Sequence, residues 1–104
     1  MNAMNYAVVI EPRALDEIQE AIDYYNLISP RLGEKFYAEL DSYFETLARS
    51  PKFQVRYKDI RCVPLKTFPY MIHFRIDEIE MEVLIEAIIN CNRNPETNWL
   101  VNEP

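Results

Sequence analysis

One glycine, two cysteines, one histidine and one tryptophan are all that this chain of 104 residues holds of those four types. The solitary Gly33 excludes a Gly-rich phosphate loop, a dinucleotide-binding fingerprint and a flexible linker. Cys62 and Cys91 are too few and too far apart for a disulfide scaffold or a paired zinc site. They read as reduced thiols of a cytoplasmic protein. No stretch approaches the roughly 18–20 unbroken apolar residues of a membrane span. The opening, Met1 to Tyr6, shows no basic region followed by an apolar core, so no secretory signal is expected. His73 has no ligand-type partners at a plausible spacing, and neither a metal nor a cofactor is expected.

What is present is 49% hydrophobic and 12% aromatic, enough for one two-layer core and not for two. The expectation is a single domain over residues 1–104, with a polar tail from about 92 to 104. Charge divides along the chain. Residues 52–75 carry Lys52, Arg56, Lys58, Arg61, Lys66 and Arg75 against Asp59 alone, while the whole chain sums to −6. The acidic total argues against a general nucleic-acid coat. A local basic patch still has the chemistry to meet phosphate or carboxylate.

Patterning supplies the elements. Residues 6–10 are short, β-branched and strand-like. Pro12 suits a first helical turn, and Leu15, Ile18, Ile22 and Tyr25 recur at helical spacing. Ser29-Pro30 breaks that helix and caps the next, which places Phe36, Leu40, Tyr43, Phe44 and Leu47 on one side until Ser50-Pro51. So short a connection predicts an antiparallel helical hairpin. After Pro51 the period falls to two. Phe53, Val55 and Tyr57 alternate, and residues 60–65 form a strand that Pro64 marks as an edge or bulge. Residues 70–76 put Tyr70, Ile72, Phe74 and Ile76 on one face and Met71, His73 and Arg75 on the other. Residues 82–90 put Val83, Ile85, Ala87 and Ile89 opposite Glu82, Leu84, Glu86 and Ile88. The class is α+β: an N-terminal strand and a two-helix hairpin on one face of a three- to four-stranded, mainly antiparallel sheet, whose other face is left partly open.

Several fragments taken in order resemble one family. They are Glu11-Pro12-Arg13-Ala14 with the hairpin, Ile60-Arg61-Cys62-Val63-Pro64-Leu65, Phe68-Pro69-Tyr70-Met71-Ile72-His73-Phe74, and Arg93-Asn94-Pro95. Together they resemble the RelE/ParE superfamily of bacterial type II toxin–antitoxin systems, which include plasmid-stabilisation modules. The resemblance implies a small toxin held inactive by a cognate antitoxin. It also implies one of two targets: the ribosome, through mRNA cleavage on the RelE side, or DNA gyrase, through binding on the ParE side.

RNA cleavage needs cations for a phosphorane-like transition state and a group that moves protons. RelE-like ribonucleases resemble one another in an Arg directly after the central-strand Tyr; here that position is Met71. Arg61 stands where such a nuclease carries a Lys, Val63 replaces the second Lys, and Arg93 matches the Arg after the last strand. With the set incomplete, the resemblance implies a ParE-like inhibitor that acts by binding. The alternatives are a RelE-like ribonuclease using Arg61, Arg93 and His73, or a repurposed domain that only binds its antitoxin. The expected binding residues are Arg61, Lys66, Tyr70, Arg75 and Trp99. Each has a bland alternative: Arg61 an ion pair, Lys66 and Arg75 solvated charges, His73 a strand residue without a role, Trp99 a packing clasp. Glu82 and Glu86 would repel a phosphate backbone, so no direct sequence-specific nucleic-acid binding is expected.

Overall fold

A computed structural model describes residues 5–92. Arg93 and Trp99, and with them most of the polar tail, lie outside the described residues. The elements are β1 (Ala7–Ile10), α1 (Pro12–Ile28), α2 (Leu32–Arg49), β2 (Val55–Tyr57), β3 (Ile60–Pro64), β4 (Tyr70–Asp77) and β5 (Glu82–Asn90). The five strands form one sheet in the order β1-β5-β4-β3-β2. β1 joins it parallel to β5, and the other three pairings are antiparallel. The helical hairpin lies on one face, giving the α+β class that the periodicity implies.

The core between helices and sheet explains the pattern. α1 contributes Ala14, Ile18, Ala21 and Tyr25, and α2 contributes Phe36, Leu40, Phe44 and Leu47. Val63, Ile72, Phe74, Val83, Ile85 and Ile88 meet them from the sheet. Leu15 departs from its expected place and is 56% exposed, because the buried stripe of α1 runs through the alanines one residue before Leu15 and Ile22. Those small side chains let helix and sheet approach closely. At the far end Tyr25, Phe36, Phe68 and Tyr70 form an aromatic cluster with ring centroids 4.9–6.2 Å apart. Offset and edge-on rings at such spacings stabilise beyond their burial.

With one glycine in the chain, ordinary residues must make the tight turns. Arg31, Lys58 and Met81 take φ of 70°, 50° and 57°. Arg31, rather than Ser29 or Pro30, is the N-cap residue of α2. Gly33 serves instead for close approach: a Cβ there would stand 2.7 Å from the Ile22 carbonyl oxygen of α1.

β5 corrects one expectation. His73 pairs with Ala87 but Phe74 pairs with Ile85, so Glu86 is an extra residue in β5. Such a bulge reverses the alternation beyond it. Ile88 therefore joins the core face with Val83 and Ile85, while Ala87 and Ile89 turn to the opposite face with Leu84. β1 also ends opposite Ile85, leaving the later part of β5 without a paired strand on that side among the described residues. There α1 supplies the missing acceptor: the Ile88 N–H donates to Glu17 Oε1 at 2.7 Å.

Candidate functional site

The face of the sheet away from the helices was the expected meeting surface, and its register decides what it presents. In antiparallel pairs, opposed residues share a face. Cys62 opposes His73 and Pro64 opposes Met71, so these four share the second face with Ala87 and Ile89. Arg61 opposes Phe74 and Val63 opposes Ile72, which places both toward the helices. Arg61 and Arg75 consequently point to opposite sides of the sheet. Arg61 and Arg75 therefore do not share one surface, contrary to the expectation that the guanidinium groups of residues 52–75 gather on one exposed face.

Arg61 works locally. Its Nη1 donates to the Phe53 carbonyl at 2.7 Å, and its buried Nε has no partner among the described residues. This contact holds the segment leading into β2 against β3, while Phe53 packs edge-on to Phe74. Tyr70, an expected binding residue, is 4% exposed inside the aromatic cluster. Burial beside Tyr70 and Tyr24 pushes the Tyr25 phenol up to about 12, with desolvation the leading cause. Lys66 is exposed in the β3–β4 loop, next to Thr67, whose N–H donates to Glu39 Oε2 of α2 at 2.8 Å.

On the second face, the centre is buried rather than open: His73 is 2% exposed, Cys62 4%, Ala87 4% and Met71 9%. Tyr57 reaches over from β2, its hydroxyl 2.9 Å from His73 Nδ1. The His73 Nε2 is buried without a partner among the described residues. Burial, with a smaller contribution from the nearby charge of Arg13, pushes the His73 pKa down to about 4. The imidazole is neutral at pH 7. Burial likewise pushes the Cys62 thiol up to about 11 against the opposing influence of Arg56, so this cysteine is inert. Arg75 is half-buried at the margin and donates from Nε to Glu86 Oε2 at 2.6 Å. The bulge turns Glu86 toward this contact. Sequence alternation alone does not reveal it.

Beside His73 lies a cavity of about 520 Å³. The first turn of α1 forms one wall, the β2–β3 turn forms another, and His73, Arg75 and the bulge form the floor. Sequence reading missed Tyr57 and Arg13 as site residues. Glu11-Pro12-Arg13-Ala14 was singled out only as a resemblance, and the signal for Tyr57 was its two-residue turn back onto the next strand. Among the described residues no cluster of three or more His, Cys, Asp or Glu side chains is placed to hold a metal ion. No described helix is long and apolar enough to cross a membrane.

This geometry bears on cleavage chemistry. The two described residues named for a ribonuclease, Arg61 and His73, lie on opposite faces of the sheet. Met71, Cys62 and Pro64 give their common face neither a cation nor a proton carrier.

Comparison with known proteins places the chain. Residues 8–95 match the family model described as the ParE toxin of the type II toxin–antitoxin system, parDE. No curated protein sequence matches. Among solved structures, a chain of the chromosomal ParDE toxin–antitoxin system from P. aeruginosa superimposes with a TM-score of 0.74 at 16% identity, covering 85% of this chain and 98% of that one. A chain of the intact E. coli RelBE toxin–antitoxin complex gives 0.66 at 17% identity, with 85% and 99% covered. One from the RelBE2 complex of Mycobacterium tuberculosis gives 0.58 at 19%, with 86% and 94% covered. Such identities establish a shared fold, and the family match over most of the length establishes the lineage: the chain belongs to the ParE toxin family of type II toxin–antitoxin systems.

Proposed function

We propose that this toxin acts by binding a large cellular enzyme, with DNA gyrase the leading target, and performs no RNA cleavage. The observation that carries this reading is the composition of the second sheet face. Cys62, Pro64, Met71 and a neutral, buried His73 occupy the centre of the surface where a nuclease of this superfamily would need cations and a mobile proton, and Arg75 at its margin is paired with Glu86. Arg61 is turned away from it. Fold alone never separates the two activities, so the site residues must.

The family supports a cognate antitoxin as the physiological partner, and the solved relatives come from systems titled as ParDE and RelBE toxin–antitoxin pairs. For such a partner the exposed Tyr24, Leu27 and Ile28 at the end of α1 offer apolar anchors. Extended or helical segments use anchors of this kind. A cytoplasmic setting fits two free thiols.

Induced expression of the full chain without its antitoxin is the test. Growth arrest with DNA breaks, intact mRNA and loss of supercoiling by purified gyrase in its presence is the expected result. Transcripts cut within translated codons, with gyrase unaffected, would overturn the proposal in favour of the ribonuclease. Absence of any growth effect would point to a repurposed domain. Co-expression of the neighbouring reading frame should restore growth.

A further inference from the structure

Among the described residues two carboxylates accept a backbone N–H from another element, and their settings differ. Glu17 takes the Ile88 N–H at a part-buried contact and is tied through its other oxygen to Arg13. Glu39 of α2 takes the Thr67 N–H of the β3–β4 loop at 2.8 Å at an exposed contact, and it enters no ion pair among the described residues. The loop offers more than one donor. Its outer N–H groups are satisfied locally, Leu65 by the Tyr70 carbonyl and Tyr70 by the Phe68 carbonyl, and Pro69 has none. The N–H groups of Lys66, Thr67 and Phe68 have no backbone acceptor among the described residues. Successive N–H groups turned to one point make an anion cradle. A carboxylate already sits in this one. Burial acts to raise the Glu39 pKa, yet the Thr67 N–H and hydroxyl, with the backbone of Lys66 and Phe68, hold it below the ordinary carboxylate value. The ligand class is thus read from the occupant itself.

We propose that the loop of residues 65–69 is a carboxylate site that Glu39 fills in the free toxin, and that an acidic side chain of the antitoxin takes it over by displacing Glu39. The exchange swaps one carboxylate for another, so no loop N–H loses its acceptor. Glu39 is half-buried rather than enclosed, and once displaced it turns into water beside Lys35, one turn earlier on α2. The incoming acid meets charge that Glu39 leaves unused: Lys35 and Lys66 are exposed and enter no ion pair among the described residues. Glu17 is unsuited to such an exchange, because Arg13 holds it and the N–H it serves belongs to a buried residue. Lys66, an expected binding residue, thereby gains a specific task. The site stands on the loop geometry, and only the identity of the incoming acid rests on the antitoxin reading.

The experiment uses the full-length, ¹⁵N-labelled protein at pH 7, with sodium acetate as the probe and sodium chloride at matched ionic strength as the reference. Glu39→Ala empties the cradle without threatening α2, since alanine favours a helix. In this variant acetate should move the Lys66, Thr67 and Phe68 amides saturably, where chloride gives only a linear drift. The parent should need at least tenfold more acetate, because its own carboxylate competes at high effective concentration. Lys66→Ala in the Glu39→Ala background should weaken acetate at least twofold. In a second arm the product of the neighbouring reading frame is titrated into the parent and the single variants. Loss of the competitor should tighten its binding at least threefold in Glu39→Ala, and Lys66→Ala should weaken it. Acetate that drifts like chloride in Glu39→Ala, or that binds parent and variant equally, would overturn the carboxylate site. An antitoxin that binds Glu39→Ala no more tightly than the parent would overturn the displacement. One that does not bind the parent at all would overturn the antitoxin reading, while the acetate result still decides the site.

Discussion

Glu17 offers the sharpest test of how helix and sheet are joined. Its Oε1 accepts the Ile88 N–H at 2.7 Å and its Oε2 accepts from Arg13 Nε at 2.9 Å. Ile88 is 2% exposed, and β1 has already left the sheet at this point, so among the described residues no strand stands ready to replace the carboxylate. Glu17→Ala therefore strands a buried N–H. Hydrogen bonds to charged groups contribute about 1.5–3 kcal/mol, and an orphaned buried donor costs a similar amount. The expected loss is about 2 kcal/mol, which for a domain of this size lowers Tm by roughly 10 °C. Glu17→Gln keeps an oxygen acceptor and should recover more than half of the loss. Arg13→Ala should cost less than about 0.5 kcal/mol, because that partner is 67% exposed and surface ion pairs contribute little. Calorimetry and urea unfolding give the energies, and amide hydrogen exchange gives the location. If opening at Ile88 is local, its amide should exchange about 30-fold faster in Glu17→Ala, the factor equivalent to about 2 kcal/mol. An alanine variant within about 0.5 kcal/mol of the parent, or equal alanine and glutamine variants, would refute the idea that this carboxylate replaces a missing strand.

Three further outcomes follow from the same geometry. Gly33→Ala should destabilise by about 2 kcal/mol in spite of alanine's better helix propensity, because the new Cβ meets the Ile22 carbonyl at 2.7 Å; urea unfolding reads the sign. Arg31→Gly should stabilise by about 0.5–1 kcal/mol, since its φ of 70° strains any L side chain and its exposed ion pair with Glu34 contributes little; the same unfolding assay would expose a loss instead. The pKa of His73 is depressed in the folded state, so its contribution is fully present above about 6.5 and is lost as pH falls toward about 4, where the unfolded chain binds a proton that the folded one refuses. Stability measured from pH 7 to pH 4 should therefore fall more steeply in the parent than in His73→Phe, and parallel curves would show that the imidazole is not the group responsible.

Much of the architecture was legible because it depends on period alone. A stripe at 3.6 residues must bury one side of a helix, and alternation at two must bury one side of a strand. The prolines at 12, 30 and 51 then mark where one period yields to the next. The hairpin, the α+β class and the core face of β4 need nothing more. The errors fall where a pattern slips by one residue. Ala14 and Ala21 replace Leu15 in the buried stripe of α1, because the sequence prefers the larger hydrophobe and the packing prefers the closer approach.

The candidate site was the least legible part for a related reason. Alternation within a strand gives two faces, but pairing between strands decides which residues share one. Arg61 and His73 belong to different strands, and only the register of β3 on β4 sends them to opposite sides. The extra residue Glu86 is silent in an apolar run, yet it turns Ile88 inward and brings Glu86 to Arg75. Composition and spacing along the chain thus determined the elements and their order, and the family entered as a resemblance carried by a few fragments in sequence. Tertiary pairing decided the chemistry of the second face, since a one-residue offset carries almost no signal in a local pattern and reverses the direction of every side chain beyond it.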